Sequence, residues 1–195
     1  MLQRGHARAP AAALPLPLGS RLRDGANCPG ASDGPDGWTA TVAAGGGASR
    51  PAAEQTVSDI AAAGGQAFAV QADVARVADI EALFQALDRE FTQRTGTNGI
   101  DILVNNAGIA GPTGRVEEIN PEDWDRCLAI DITGQFNCVR LAVPHLKQSQ
   151  NPSIMNLSSQ AGKHGFPLRS AYAAAKWGVI GFTKSIAIEL GPFGI

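Results

Sequence analysis

Cysteine, basic charge and long apolar runs are what this 195-residue chain has least of. Its 3 cysteines are Cys28, Cys127 and Cys138. An odd, scattered trio is no disulfide framework and has no zinc-ligand spacing. The expectation is a cytoplasmic protein without a metal. Charged residues make up 17% of the chain and the formal net charge is −2. That excludes the basic excess by which non-specific nucleic-acid binders hold phosphate. No apolar run approaches the ~20 residues that cross a bilayer, so no membrane partner is expected. The 44% hydrophobic content is enough to fold most of the chain, and the length suits one domain with a sizeable core.

A second scarcity is local. Residues 1–50 contain no Ile, Phe, Lys or Glu, and their one Val is Val42. The first Glu is Glu54, the first Ile is Ile60 and the first Lys is Lys147. A stretch so poor in branched and long apolar side chains builds little core. Residues 1–38 are therefore expected to be an aberrant or disordered segment lacking packed structure, with the folded domain spanning 39–195. Three origins stay open for it: an aberrant or frame-shifted start, a flexible tail, or a targeting segment, because only arginines precede Asp24 among charged residues.

From there strands and helices alternate. Thr39–Ala44 reads as a short strand. Pro51 to Ala63 reads as a helix, with a first-turn proline and a Gly64-Gly65 stop. Residues 67–72 read as a strand, 76–91 as a helix with an apolar stripe, and 100–104 as a strand buried on both faces. Asn120-Pro121-Glu122-Asp123 is an N-cap, a first-turn proline and two acids at the positive end of a dipole. Its helix carries Trp124, Leu128, Ile132 and Phe136 four apart and is expected to reach Leu146, kinked near Pro144. A strand follows at 153–157, then a helix over 170–190 closed by Gly191-Pro192. Alternation of this kind predicts an α/β fold, a mainly parallel sheet with right-handed crossovers and helices on both faces.

Ligands of such sheets bind beyond the carboxyl ends of the strands. There stand Asp73-Val74, Asn105-Asn106-Ala107-Gly108 and Ser158-Ser159. Taken singly, these residues also end strands and cap helices. Tyr172 and Lys176, at i and i+4, share a helix face. An ammonium beside a phenol favours the phenolate, which would make Tyr172 an acid or base usable near neutrality. The bland alternative is a lysine lying over an aromatic ring. His145 and His164 read as surface or loop histidines with no acid partner. Cys127 and Cys138 read as core fillers, and Trp124 and Phe136 as packing or interface residues.

Asn105-Asn106-Ala107-Gly108, Ser159 and Tyr172-Ala-Ala-Ala-Lys176, in this order and spacing, resemble the short-chain dehydrogenase/reductase family over about residues 52–195. The resemblance implies a Rossmann-like doubly wound parallel sheet and a hydride transfer between NAD or NADP and a carbonyl or secondary alcohol carbon. It implies Tyr172 as acid/base, Lys176 as its partner and a ligand of the nicotinamide ribose, and Ser159 as the holder of the substrate oxygen. Asp73 and Val74 would flank the adenine; Asn105, Ala107 and Gly108 would line the cofactor. Asp131 falls at the fourth catalytic position, where the family usually has an asparagine that kinks the helix. The partners implied are a small carbonyl or alcohol substrate and, through helices 121–146 and 170–190, a homodimer or homotetramer. Substrates from 3-oxoacyl thioesters to sugars, small alcohols and steroids stay open, as does the choice between NAD and NADP.

The chain departs from the family in its first βα unit. No Thr-Gly-x-x-x-Gly-x-Gly turn occurs in residues 1–50, and Gly45-Gly46-Gly47 is a weak substitute. The family's C-terminal strand and substrate loop would lie past Ile195. The sheet is expected to be incomplete, and the alternative function is a non-catalytic, truncated remnant that binds cofactor poorly.

Overall fold

The computed structural model describes residues 39–44 and 50–195, with side chains from residue 50 onward. The expectations for residues 1–38 and for Gly45-Gly46-Gly47 lie outside the described residues. The elements run β1 (Thr39–Ala44), α1 (Arg50–Ala62), β2 (Gln66–Gln71), α2 (Val77–Thr95), β3 (Ile102–Asn105), α3 (Pro121–Leu128), α4 (Gly134–Leu146), β4 (Ser153–Asn156) and α5 (Ser170–Leu190). This is the α/β alternation read from the sequence, with most boundaries within two residues. The exception is α2, which runs four residues longer, until Gly96 takes a left-handed φ of 75° and closes it.

The strands pair in parallel, β1 with β2 from Thr39↔Gln66 and β3 with β4 from Ile102↔Ser153. The described strands form two such pairs rather than one continuous sheet. A core of Ile80, Leu83, Phe84 and Leu87 from α2 meets Cys138, Ala142 and Leu146 from α4, with Leu103 and Ile154 packed against it. That covers one face of the β3–β4 pair. The expectation of burial on both faces is corrected here: Met155 is 57% exposed and Ile102 40%. Side chains alternate across a strand, and no described helix lies over these two.

The long helix of residues 121–146 also differs from its reading. Asn120 caps it by accepting from the Glu122 N–H at 3.1 Å, with Pro121 in the first turn, as predicted. The helix passes through Pro144 without ending. Its interruption lies earlier, in a π turn at Ala129–Thr133, where the Gly134 N–H reaches back to the Ala129 carbonyl. Trp124, Leu128, Ile132 and Phe136 are not the buried face. Ile132 packs beside Gly178 of α5, and Phe136 meets Phe182 edge-on at 6.3 Å while staying 46% exposed. The buried face is Cys127, Ile130, Asp131, Gln135, Cys138, Ala142 and Leu146. One extra residue in the turn and cover from both α2 and α5 account for the change.

Candidate active site

Helix α5 sets the site. Tyr172, the chain's single tyrosine, and Lys176 stand one turn apart on its face toward a cleft of about 460 Å³. Gly108, Ser158, Phe166 and Arg169 also line that cleft. Lys176 is 5% exposed. Its Nζ donates to the Leu157 carbonyl at 3.2 Å and lies 5.5 Å from the centre of the Tyr172 ring. A cleft wall of carbonyls and an ammonium can hold hydroxyl groups, since Nζ has three donors and spends one on Leu157.

Behind Lys176 sits Asp131, wholly buried on the π turn. Its Oδ1 accepts from the Ile109 N–H at 2.7 Å; its Oδ2 has no hydrogen-bond partner among the described residues and lies 3.8 Å from Lys176 Nζ. Burial pushes the Asp131 carboxyl above its ordinary range, against the opposing pull of the Ile109 N–H and of the lysine. Gln135, next on the same face, donates to the Asp131 carbonyl at 3.1 Å and to the Leu157 carbonyl at 3.4 Å. The end of β4 is thus tied to both α4 and α5. Cys127, also buried here, has its thiol raised to about 11, first by burial and then by the Asp131 carboxylate.

The other residues singled out by sequence fall in three places. Gly108 belongs to the cleft, and its lack of a side chain matters: a Cβ there would stand 3.2 Å from Asp131 Oδ1 and 3.3 Å from Lys176 Nζ. Asn105 lies below it, buried, donating to Asn156 Oδ1 at 2.8 Å, while Asn156 donates to Thr183 of α5 at 3.0 Å. Ala107 packs against the hydrophobic core. Ser159 sits at the end of β4, its hydroxyl accepting from the Ala161 N–H at 3.3 Å. Its neighbour Ser158 lines the cleft and donates to the Lys176 carbonyl at 2.8 Å. Asp73 and Val74 stand at the end of β2, apart from these. Asp73 accepts from the Ala75 N–H at 3.0 Å, and Val74 is buried against Gly134, where an added Cβ would come within 3.0 Å of it.

Three groups escaped the sequence reading. Gln135 carries no motif. Arg169 lies three residues before Tyr172, a spacing that could have drawn attention, and its Nη1 donates to the Ala110 carbonyl at 2.7 Å. His145 is the third, and its reading is corrected: it lies within α4, its side chain only 12% exposed, 3.4 Å from Asp88 and stacked on Phe84.

Comparison with known proteins bears on this geometry. The family model described as short chain dehydrogenase matches residues 38–195. A trans-4-hydroxycyclohexanecarboxylate dehydrogenase of Sinomonas cyclohexanicum is 50% identical over 103 residues, 53% of this chain and 38% of that protein. A 3-oxoacyl-[acyl-carrier-protein] reductase of Synechocystis sp. is 38% identical over 147 residues, 75% of this chain and 57% of the relative. The crystal structure of angucycline C-6 ketoreductase LanV with bound NADP superposes with a TM-score of 0.72 at 31% identity, covering 78% of this chain and 58% of that one. The chain thus spans about half the length of these relatives or less. The likeness to LanV extends the Rossmann-like architecture to this chain.

Proposed function

The chain belongs to the short-chain dehydrogenase family, and from that premise we propose that it is an NAD(P)-dependent oxidoreductase acting on a carbonyl or secondary alcohol. The observation that carries the proposal is the convergence of Tyr172, Lys176 and Gly108 on one cleft, with Lys176 held against the Leu157 carbonyl and Asp131 behind it. The residues fit a nicotinamide cofactor at its nicotinamide end. Lys176 has N–H donors left over, and Gly108 leaves the wall bare where a side chain would meet the lysine. NAD or NADP, when bound, supplies or accepts the hydride; the protein supplies position and protons.

In this reading Tyr172 gives its hydroxyl proton to the carbonyl oxygen in reduction and takes it back in oxidation. Lys176 holds ribose hydroxyls and sets a positive charge beside the phenol. Ser159 donates to the substrate oxygen as negative charge develops there. Asp131 positions Lys176. Asn105, Ala107 and Gly108 support the cofactor at the end of β3, and Asp73 and Val74 stand by the adenine. Residues 39–195 act as the working unit, and two or four copies assemble through α4 and α5, where Phe136, Trp177 and Ile188 are exposed. Among the described residues no helix is long and apolar enough to cross a membrane.

The alternative is a non-catalytic remnant, favoured by the lack of a Thr-Gly-x-x-x-Gly-x-Gly turn in residues 1–50. Such a turn puts N–H donors on the pyrophosphate. One experiment separates the two: fluorescence titration of the purified chain with NADH and NADPH, followed by cofactor absorbance during incubation with NAD+ or NADP+ and a panel of secondary alcohols. Micromolar binding with turnover of any alcohol supports the oxidoreductase. Millimolar binding without turnover supports the remnant.

A further inference from the structure

We propose that Arg169 is the anion-recognising residue of the cleft, and that its ligands are carboxylic acids carrying the reacting alcohol or carbonyl carbon a few bonds from the carboxylate. The proposal rests on the oxidoreductase reading in that it takes Tyr172 as the point where the reacting oxygen sits.

The first argument is charge. Among the described residues the cleft is lined by two cations, Lys176 and Arg169, and by no carboxylate. Lys176 is answered from behind by Asp131 at 3.8 Å. Arg169 pairs with no carboxylate among the described residues. Its one side-chain hydrogen bond among the described residues, from Nη1 to the Ala110 carbonyl, orients the guanidinium and uses one of its five N–H donors. What is left is a fixed positive fork that accepts a carboxylate in a planar, two-point fashion.

The second argument is backbone. Leu168, just before Arg169, has a φ of 62° and is the one non-glycine residue with positive φ among the described residues. A bulky side chain in that region is strained, and strain persists only where surrounding contacts hold it. Leu168 is 51% exposed, so it is not held there as a core residue. Two bonds to the loop after β3 hold the segment: the Gly114 N–H to the Leu168 carbonyl at 3.1 Å, and Arg169 to Ala110. The result is that the cation lies in the wall of the cleft, three residues before Tyr172 and just ahead of α5.

The third argument is what lies between. Ile109, Leu157 and Phe166 line the same cleft, and Phe166 is 50% exposed. They offer an apolar wall for the carbon body of an acid whose head sits on Arg169 and whose hydroxyl meets Tyr172. Arg169 immediately precedes α5 and Tyr172 lies in its first turn; both line the same cleft, which fits a separation of a few bonds. A neutral polyol or alcohol would leave the guanidinium unanswered.

The test compares 3-hydroxyhexanoate and 3-hydroxycyclohexanecarboxylate, each against its methyl ester, with the full chain and cofactor. The acids are expected to exceed the esters in kcat/KM by about 10- to 100-fold, the weight of charge-assisted hydrogen bonds. Arg169→Gln, which keeps a donor for Ala110, should collapse that ratio toward one; Arg169→Lys should retain part of it. Equal values for acid and ester in the unmodified chain, or a ratio that Arg169→Gln does not move, would overturn the proposal. Saturation-transfer NMR of the same acids needs no turnover. Acid binding that weakens in Arg169→Gln upholds the proposal even if every alcohol goes unconverted, an outcome that sinks the oxidoreductase reading alone. No acid binding to the unmodified chain refutes it.

Discussion

Compare residues 50–95 with residues 102–190. In the first region every buried side chain is apolar: Ala53, Ala72, Val74, Ile80, Leu83, Phe84 and Leu87. In the second, Asn105, Asp131, Gln135, Asn137 and Lys176 are buried as well. Apolar burial is non-directional and needs only volume and contact. Polar burial is costly unless each group finds a partner. Asn105 finds Asn156, Gln135 and Lys176 share the Leu157 carbonyl, and Asp131 takes the Ile109 N–H. The first region is built as apolar scaffold, with Asp73 and Val74 at its strand end. The other accepts an electrostatic cost around a cleft, which is where perturbed groups and chemistry tend to coincide.

Substitutions in each region sharpen or break that contrast. Tyr172→Phe carries the largest expected effect: turnover falls by about 10²- to 10⁴-fold, the size of a lost general acid. The melting temperature and cofactor affinity should hardly change. A variant keeping more than about a tenth of the rate would show that the phenol does not transfer the proton. Ile80→Ala should do the reverse. Ile80 is fully buried among Leu83, Phe84 and Leu87, so its truncation costs about 2–5 kcal/mol of stability in denaturant titration. The rate per folded molecule should be retained; a loss of rate matching that of Tyr172→Phe would erase the distinction between scaffold and site.

Asp131→Asn gives the smallest effect, and its signature is pH. A carboxyl whose pKa is higher folded than unfolded binds more protons in the native state between those two values. Stability therefore falls as pH rises from the unfolded value of about 4 toward the raised folded value. The unmodified chain should show that decline in melting temperature. Asp131→Asn should not, and its curve should cross above the other at the upper end. Parallel curves would mean that Asp131 titrates in the fold as it does in the open chain.

How much of this was readable beforehand depended on whether the cause was local. The start of α3 was plain because Asn120 and Pro121 act on their immediate neighbours, and Tyr172 and Lys176 needed only helical spacing. Asp73, also read as a possible strand-end cap, does cap locally through the Ala75 N–H. The contact of His145 with Asp88 was invisible, since it joins two helices far apart in sequence. The exposure of Met155 depends on which helices cover a sheet face, which no strand states about itself. Arg169 enters the cleft wall beside a left-handed leucine, a backbone state that residue type argues against.

The π turn at Ala129–Thr133 has a consequence for how this chain tolerates changes of length. It holds one residue more than an ordinary helical turn, so the segment before it and the segment after it are phased independently. Straightening the turn with its residue count unchanged would swing everything beyond it by about 100°, whereas deleting one residue would straighten it and leave that segment in phase. Gln135, Cys138, Ala142 and Leu146 would rotate away from their partners together in the first case and keep them in the second. The turn works as a spacer that takes up one residue, so a one-residue deletion there should disturb the packing of the rest of α4 less than a deletion farther along the helix, its cost falling on the placement of Asp131.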